Sequence, residues 1–361
     1  MNINIPSSYG YERDSLSALD AISEAQRIAH APMFFFVACL LRDKGILEAI
    51  ESAGDKGINI EELSERINLS TYALSLLLDN GLSLKAIYYT EQRYHLGKVG
   101  HFLLHDPMTI VNMNFSRDVC YLGMQHLEEA FSTETPAGLK ELIDSPTIYP
   151  VLSKLPSPAK ESWFAYDHYY SDNAFSSVLP LVFASSPKKM FDVGGNTGKW
   201  ARACVAYDPE VEVTIVDLPI QCSTAEQQNS GQPGADRIAT FPIDILSEET
   251  LPSSADFWWM SQFLDCFSEE QITNILKKIH AASKPNARIG ILELFWNCQK
   301  FEAAALSLNA ASLYFTTMAN GNSRFYSIEA MLQCLDNAGF EVESRTDHIG
   351  YGHTLLICRK K

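Results

Sequence analysis

The sequence predicts an α/β protein in which a mostly parallel sheet, closed by a C-terminal antiparallel hairpin, follows a mainly helical N-terminal domain. From Lys188 onward, short buried-strand patterns alternate with helical ones, as βαβ units require. The last two strand patterns, FEVESRTDHIG and GHTLLICRK, are joined by too few residues for a crossover and must run antiparallel. Upstream, the apolar residues recur at helical spacing. With 361 residues, 46% hydrophobic and 20% charged, the chain has apolar material for two domains, expected at 1–150 and 151–361.

In the first half, the pattern from Pro32 to His105 reads helix, helix, helix, hairpin. Asn59 is placed to cap IEELSERI, with Glu62 at the capping-box position, and Ser70 to cap TYALSLLLDNGL. AIYYTE and RYHLG alternate as two short strands. That is the outline of a winged helix. A helix that reads DNA needs basic and amide side chains, yet Thr71–Leu82 has no Lys or Arg and carries Asp79, so a scaffold or dimerisation role is expected instead. SLSALDAISEAQRIAHA, just upstream, suits packing either on a partner subunit or within the chain. The Pro- and Ser-rich stretch from Glu128 to Pro158 is the expected boundary.

In the second half, KMFDVGG, VEVTIVDL, ATFPID, DFWWMSQ and ARIGILELF read as successive buried strands, EEQITNILKKIHAAS as a crossover helix and SIEAMLQCLDNAGF as the helix before the final hairpin.

A formal net charge of −16 repels phosphate backbones and anionic headgroups, so neither nucleic acid nor a membrane is expected as a partner. The eight scattered cysteines form no CxxC pair and suit a reducing cytoplasm, where the protein is expected. The N-terminus does not read as a secretory signal, and the longest apolar run, Ala31–Leu41, is too short to span a bilayer. His101 and His105 sit at helical spacing, but no third ligand is evident and no metal is predicted.

The cofactor signal is Phe191-Asp192-Val193-Gly194-Gly195-Asn196-Thr197-Gly198, a glycine-rich turn between a strand and a helix. It lacks the GxxxxGK[ST] of a nucleotide-triphosphate loop, since Val193 replaces the first Gly and Trp200 follows Lys199. A carboxylate directly before the glycines is unhelpful to a pyrophosphate but attracts a sulfonium and an ammonium. Asp217, ending TIVDL, is spaced to accept from both ribose hydroxyls, and Asp244, ending ATFPID, stands at the next strand tip, placed for an adenine amino group. Any one of these acids alone also reads as a solvated strand end; together they point to S-adenosylmethionine.

These residues resemble the small-molecule O-methyltransferases of the caffeate and hydroxyindole type in their bacterial form. DVGGNTGKW resembles the family's DVGGGxG, VDLP its ribose-binding strand end and FLDCFSEEQITNIL its LHDWSDEE segment. The resemblance implies a class I methyltransferase sheet, a winged-helix dimerisation domain and a homodimer. It carries cofactor contacts onto Gly194, Gly195, Asp217, Leu218, Asp244, Ile245 and Ser261, beside which Gln262 is also expected to bind. Asn196 stands where the family has Gly, and Ser261 where plant members have Lys. The family's general-base His falls at Asp265 and the next acid at Cys266; of the two flanking acids one matches Glu293, and the other falls at Ser323, next to Arg324.

Methyl transfer is an in-line displacement accelerated largely by alignment, and a base matters only if the acceptor must lose a proton. An aspartate near pKa ~3.9 serves a phenol near ~10 poorly unless buried and raised. The candidates are Asp265, His168 and Glu293. His168 lies in YDHYYSD, which resembles the family segment between cofactor and substrate; it also reads as an ordinary histidine on a linker helix. Loss of activity below about pH 6.5 would mark a histidine base, whereas an unperturbed carboxylate would work down to about pH 4. Tyr166 and Tyr170 are placed to turn aromatic faces to the sulfonium or simply to pack in the core. Tyr314, Phe315 and Met318 suit a flat apolar acceptor, with Arg324 pairing a carboxylate on it or bridging to Glu293. The function expected is methyl transfer to a hydroxyl or carboxyl oxygen of a small aromatic molecule; the alternatives are C- or N-methylation, a different reaction of the same cofactor, or a catalytically silent cofactor-binding regulator.

Overall fold

The computed structural model describes residues 3–361, which divide into two compact units. One is Arg13–Arg117; the other is Asp118–Lys361, which also takes in the residues before Arg13. Among these, Tyr9 is held by its buried hydroxyl, which donates to the Gln299 carbonyl at 2.6 Å.

The first unit contains α1 (Ala18–Ala29), α2 (Ala31–Asp43), α3 (Ile46–Ser52), α4 (Ile60–Arg66), α5 (Thr71–Ser83), the hairpin β1 (Ile87–Thr90) and β2 (Arg93–Leu96), α6 (Lys98–His105) and α7 (Pro107–Phe115). Its helix starts are those the sequence signals. Asn59 and Glu62 form a reciprocal capping box on α4, and Ser70 accepts from the Ala73 N–H at the start of α5. Leu41, Ile46, Leu47, Ile58, Leu63 and Leu78 are fully buried in its core. Helix α1 buries none of its residues.

The second unit continues with α8 (Leu127–Thr133), α9 (Ala159–Ser171), α10 (Phe175–Phe183), β3 (Lys189–Val193), α11 (Lys199–Tyr207), β4 (Glu212–Asp217), α12 (Pro219–Asn229), β5 (Ile238–Pro242), β6 (Phe257–Ser261), α13 (Glu269–Ala282), β7 (Arg288–Glu293), α14 (Glu302–Tyr314), α15 (Ile328–Asn337), β8 (Phe340–Ile349) and β9 (His353–Lys360). The seven-stranded sheet has the order β5-β4-β3-β6-β7-β9-β8, parallel from β5 to β7 and antiparallel at β9 and β8. Strands buried on both faces read as continuous apolar runs, and β6 does so with Phe257, Trp258, Trp259 and Met260 all buried. This is the class I methyltransferase sheet expected from the sequence.

The division between units falls at Asp118, not at residue 150. The Pro- and Ser-rich stretch is not a free linker, because its backbone is hydrogen-bonded to the segment after α14: Gly138 N–H donates to the Thr317 carbonyl and Ile148 N–H to that of Ala319, each at 2.9 Å. Leu139, Ile148, Leu152 and Leu155 are buried there.

Candidate active site

Every residue of the candidate site lies in the 118–361 unit. The parallel strands end side by side, so β3, β4, β5, β6 and β7 deliver Asp192, Asp217, Asp244, Ser261 and Glu293 to one edge of the sheet. The turn after β3 is built from left-handed backbone: Gly194 has φ +75°, Asn196 +48° and Gly198 +77°. Asn is among the few residues that tolerate this, which is how it stands in a family glycine position. At Gly194 a side chain is excluded, since a Cβ would come within 2.1 Å of the Phe263 ring.

Asp192 is buried with its Oδ2 unpartnered, and burial, then the nearby Asp217, push its carboxyl up to about 8. Asp217 accepts the Asn196 N–H at 2.8 Å and the Leu218 N–H at 2.7 Å; burial outweighs these bonds and raises it to about 6. Gln262, strained at φ +45°, donates its N–H to the Leu292 carbonyl at 3.0 Å while its buried Oε1 has no partner. Buried polar atoms without partners are exceptional, and two acceptors left so beside a glycine turn fit a ligand that brings N–H, O–H or positive charge. S-adenosylmethionine brings all three. Asp244 is exposed and turns the chain by accepting the Leu246 N–H at 2.9 Å, while Ile245 is buried. Lys278 of α13 holds this loop, donating to the carbonyls of Ile245 at 2.9 Å and Ser247 at 2.6 Å.

Beyond β6 the chain enters a short 3-10 turn, Leu264–Cys266, that presents Asp265. Glu293 fixes this turn: its Oε1 accepts from the Phe263 N–H at 3.0 Å and the Leu264 N–H at 2.8 Å. Burial, then the nearby Asp265, holds the Glu293 carboxyl well above the usual range, and its Oε2 has no partner. Asn320 supports the turn from the other side by donating to the Cys266 carbonyl at 2.5 Å. Asp265 itself is 6% exposed, and burial, opposed by the Cys266 thiol and reinforced by Asp167, lifts it to about 7. A carboxylate tuned in this way is matched to proton transfer near neutral pH. A carboxylate raised in this way does not have the unperturbed behaviour, activity down to about pH 4, expected from the sequence.

Tyr166 and Tyr149 lie near this acid and Tyr314 near Cys266 and Asp167, and burial holds all three phenols neutral. Tyr314 accepts from Trp163 Nε1 at 2.6 Å; Tyr166 and Tyr170 have ring centroids 5.1 Å apart. Met318 is fully buried in a π-helical turn, Phe315–Ala319, that continues α14. His168 is half-buried on α9, its ring 5.9 Å from that of Phe164. Arg324 is exposed and donates to the Phe325 carbonyl at 3.4 Å rather than bridging to Glu293, whose Oε1 accepts backbone N–H groups. Ser323, in the position of the second flanking acid, is buried and donates to Asn320 Oδ1 at 3.0 Å.

Asp167, Trp163, Asn320 and Tyr149 were missed by sequence reasoning. Asp167 lay in a segment already singled out, where its neighbour His168 drew the assignment on intrinsic pKa. Tyr149 sits in a Pro-rich 3-10 turn that has no periodicity to read. Elsewhere, Glu51, 54 residues before His105 in the chain, touches the Nε2 of His105 at 2.8 Å.

Residues 174–341 match the family described as O-methyltransferase domain, and residues 23–94 match the Dimerisation2-like domain. The chain is 23% identical over 339 residues to the L-tyrosine C(3)-methyltransferase of Streptomyces lavendulae, covering 92% of this chain and 90% of that one. It is 30% identical over 170 residues to the demethylspheroidene O-methyltransferase of Rhodobacter capsulatus, an alignment that spans 46% of this chain and 40% of that relative. Among solved structures, the apo form of the S-adenosylmethionine-dependent methyltransferase SibL superposes with a TM-score of 0.72 at 20% identity, covering 94% of this chain and 99% of that one.

Proposed function

We propose that this chain, whose residues 174–341 match the O-methyltransferase domain, is an S-adenosylmethionine-dependent methyltransferase that methylates a phenol-bearing small aromatic molecule, with Asp265 as general base. When bound, S-adenosylmethionine supplies a methyl group on a sulfonium that leaves as a neutral thioether. The chain's own residues do the rest. Asp192, Asp217 and Gln262 provide acceptors for the cofactor's charged and hydroxyl groups, with Gly194, Gly195, Leu218, Asp244, Ile245 and Ser261 shaping the same edge. The Asp265 carboxylate takes the proton of the acceptor hydroxyl as the oxygen lone pair forms its bond to the methyl carbon. Glu293 positions the turn that carries Asp265, and Tyr166, Tyr170, Tyr314 and Met318 make an apolar aromatic wall for a flat acceptor.

The carrying observation is that Asp265, in the family histidine's place, is buried on a short turn that Glu293 fixes through two backbone N–H bonds, and that this burial raises its carboxyl. Asp265→Asn should lower kcat by about 10²–10⁴ on the true acceptor while leaving cofactor affinity intact, with His168→Gln near wild type. The opposite ranking would transfer the role to His168, and near-full activity in both would mean that alignment alone drives the reaction, as for an acceptor already ionised.

A second reading rests on the near full-length relative whose name places its methyl group on carbon. A phenolate carries its negative charge on the oxygen and on the ortho carbons, so the same base prepares either nucleophile. Product NMR separates an ether methyl from an aryl methyl.

The remaining assignments concern assembly and setting. The first unit is proposed to be a winged-helix dimerisation module that binds no nucleic acid, since α5 offers no basic side chain. The homodimer is supported by α1, on which Leu19, Ile22 and Ile28 are 79%, 59% and 69% exposed. No disulfide joins any of the described cysteines, which suits a cytoplasmic setting, and no described helix is long and apolar enough to cross a membrane.

A further inference from the structure

The first unit contains a constellation that methyl transfer does not use. His101 and His105 lie one turn apart on α6, their ring centroids 4.8 Å apart. Glu51, near the end of α3, reaches both: one carboxylate oxygen is 2.8 Å from His105 Nε2 and 3.6 Å from His101 Nδ1. One ligand atom from each of the three lies within 4.8 Å of the others. A tetrahedral cation about 2.0–2.2 Å from each ligand needs those atoms only about 3.3 Å apart, so closing the triad takes small side-chain adjustments on two helices already packed together. The two imidazoles are exposed, which leaves the remaining coordination positions open to water.

We propose that Glu51, His101 and His105 form a surface site for a borderline divalent transition-metal cation of the zinc class, which staples α3 to α6. Two imidazoles and one carboxylate select such an ion over magnesium or calcium, which prefer all-oxygen shells. No sequence motif announces the site, because the carboxylate comes from a different helix.

The test uses the full-length protein freed of metal. Zn²⁺ is titrated by calorimetry into the wild type, the His101→Ala/His105→Ala double variant and Glu51→Gln, and Co²⁺ binding is followed by visible absorption. A single equivalent should bind the wild type, about 100-fold more weakly the double variant and about tenfold more weakly Glu51→Gln. Zn²⁺ should raise the thermal midpoint of the wild type and not that of the double variant. The Co²⁺ spectrum should lack the near-ultraviolet charge-transfer bands of thiolate ligation, which distinguishes the site from the eight cysteines. Cofactor affinity should be unchanged in all three proteins, which shows the variants folded. Equal Zn²⁺ affinity in wild type and double variant, thiolate bands, or no binding at millimolar Zn²⁺ would each overturn the assignment.

Discussion

Asp192, the next-to-last residue of β3, has a buried carboxyl that burial, and then Asp217, pushes up to about 8. An unfolded aspartate titrates near ~3.9, so the folded state holds this proton more tightly. The stability it contributes is complete below about pH 4 and is lost as pH rises to about 8. A cation bound beside it favours the charged form and reverses the loss. The thermal midpoint of the cofactor-free protein should therefore fall between about pH 5 and 8, less steeply in Asp192→Asn, and the stabilisation by S-adenosylmethionine should grow with pH over the same window in the wild type alone. Parallel wild-type and variant curves in differential scanning fluorimetry would refute this. Asp217 and Asp265, raised to about 6 and about 7, slope both curves alike, so the difference between them isolates Asp192. Asp192 and Asp217 were visible in the sequence because strand ends place them at a fixed distance from glycines. Asp167 was not, because only packing decides which neighbour on α9 approaches Asp265.

At the scale of elements, the active turn is held by a segment whose own conformation depends on one glycine. Gly321 has φ +97°, and a Cβ there would lie 2.3 Å from the Glu134 carbonyl oxygen and 2.4 Å from Thr135 Cα. Its neighbour Asn320 carries the hydrogen bond to the Cys266 carbonyl. Gly321→Ala should cost at least about 1 kcal/mol in denaturant unfolding and lower kcat as well, since the backbone cannot yield and the turn bearing Asp265 loses its support. An unchanged midpoint would show that the two loops separate freely. The β-strands, α13, α15 and the caps at Asn59 and Ser70 were legible because periodicity and capping are local. The stretch from Ser116 to Lys154, built largely of short 3-10 and π-helical turns, was not, since tertiary contacts rather than spacing decide its path.

For the whole molecule, the exposed apolar face of α1 and the Dimerisation2-like match of residues 23–94 make the proposed homodimer testable. Light scattering at micromolar concentration should give twice the 40.3 kDa chain mass, and Leu19→Asp with Ile22→Asp should halve it. A wild-type monomer would remove the assignment. The order of the two halves was legible from the change of periodicity near Lys188, whereas the unit boundary was not, because a Pro-rich segment looks like a linker until its hydrogen-bond partners are known. Strand β9 has a further consequence for how the chain is made. It is the last strand in sequence, yet it lies inside the sheet with β7 on one side and β8 on the other. During synthesis the helical first unit can assemble while the rest is still being translated. The sheet cannot close until residues 353–360 are free to pair, so β7 and β8 wait with open edges, and the period of aggregation risk lasts until β9 inserts between them.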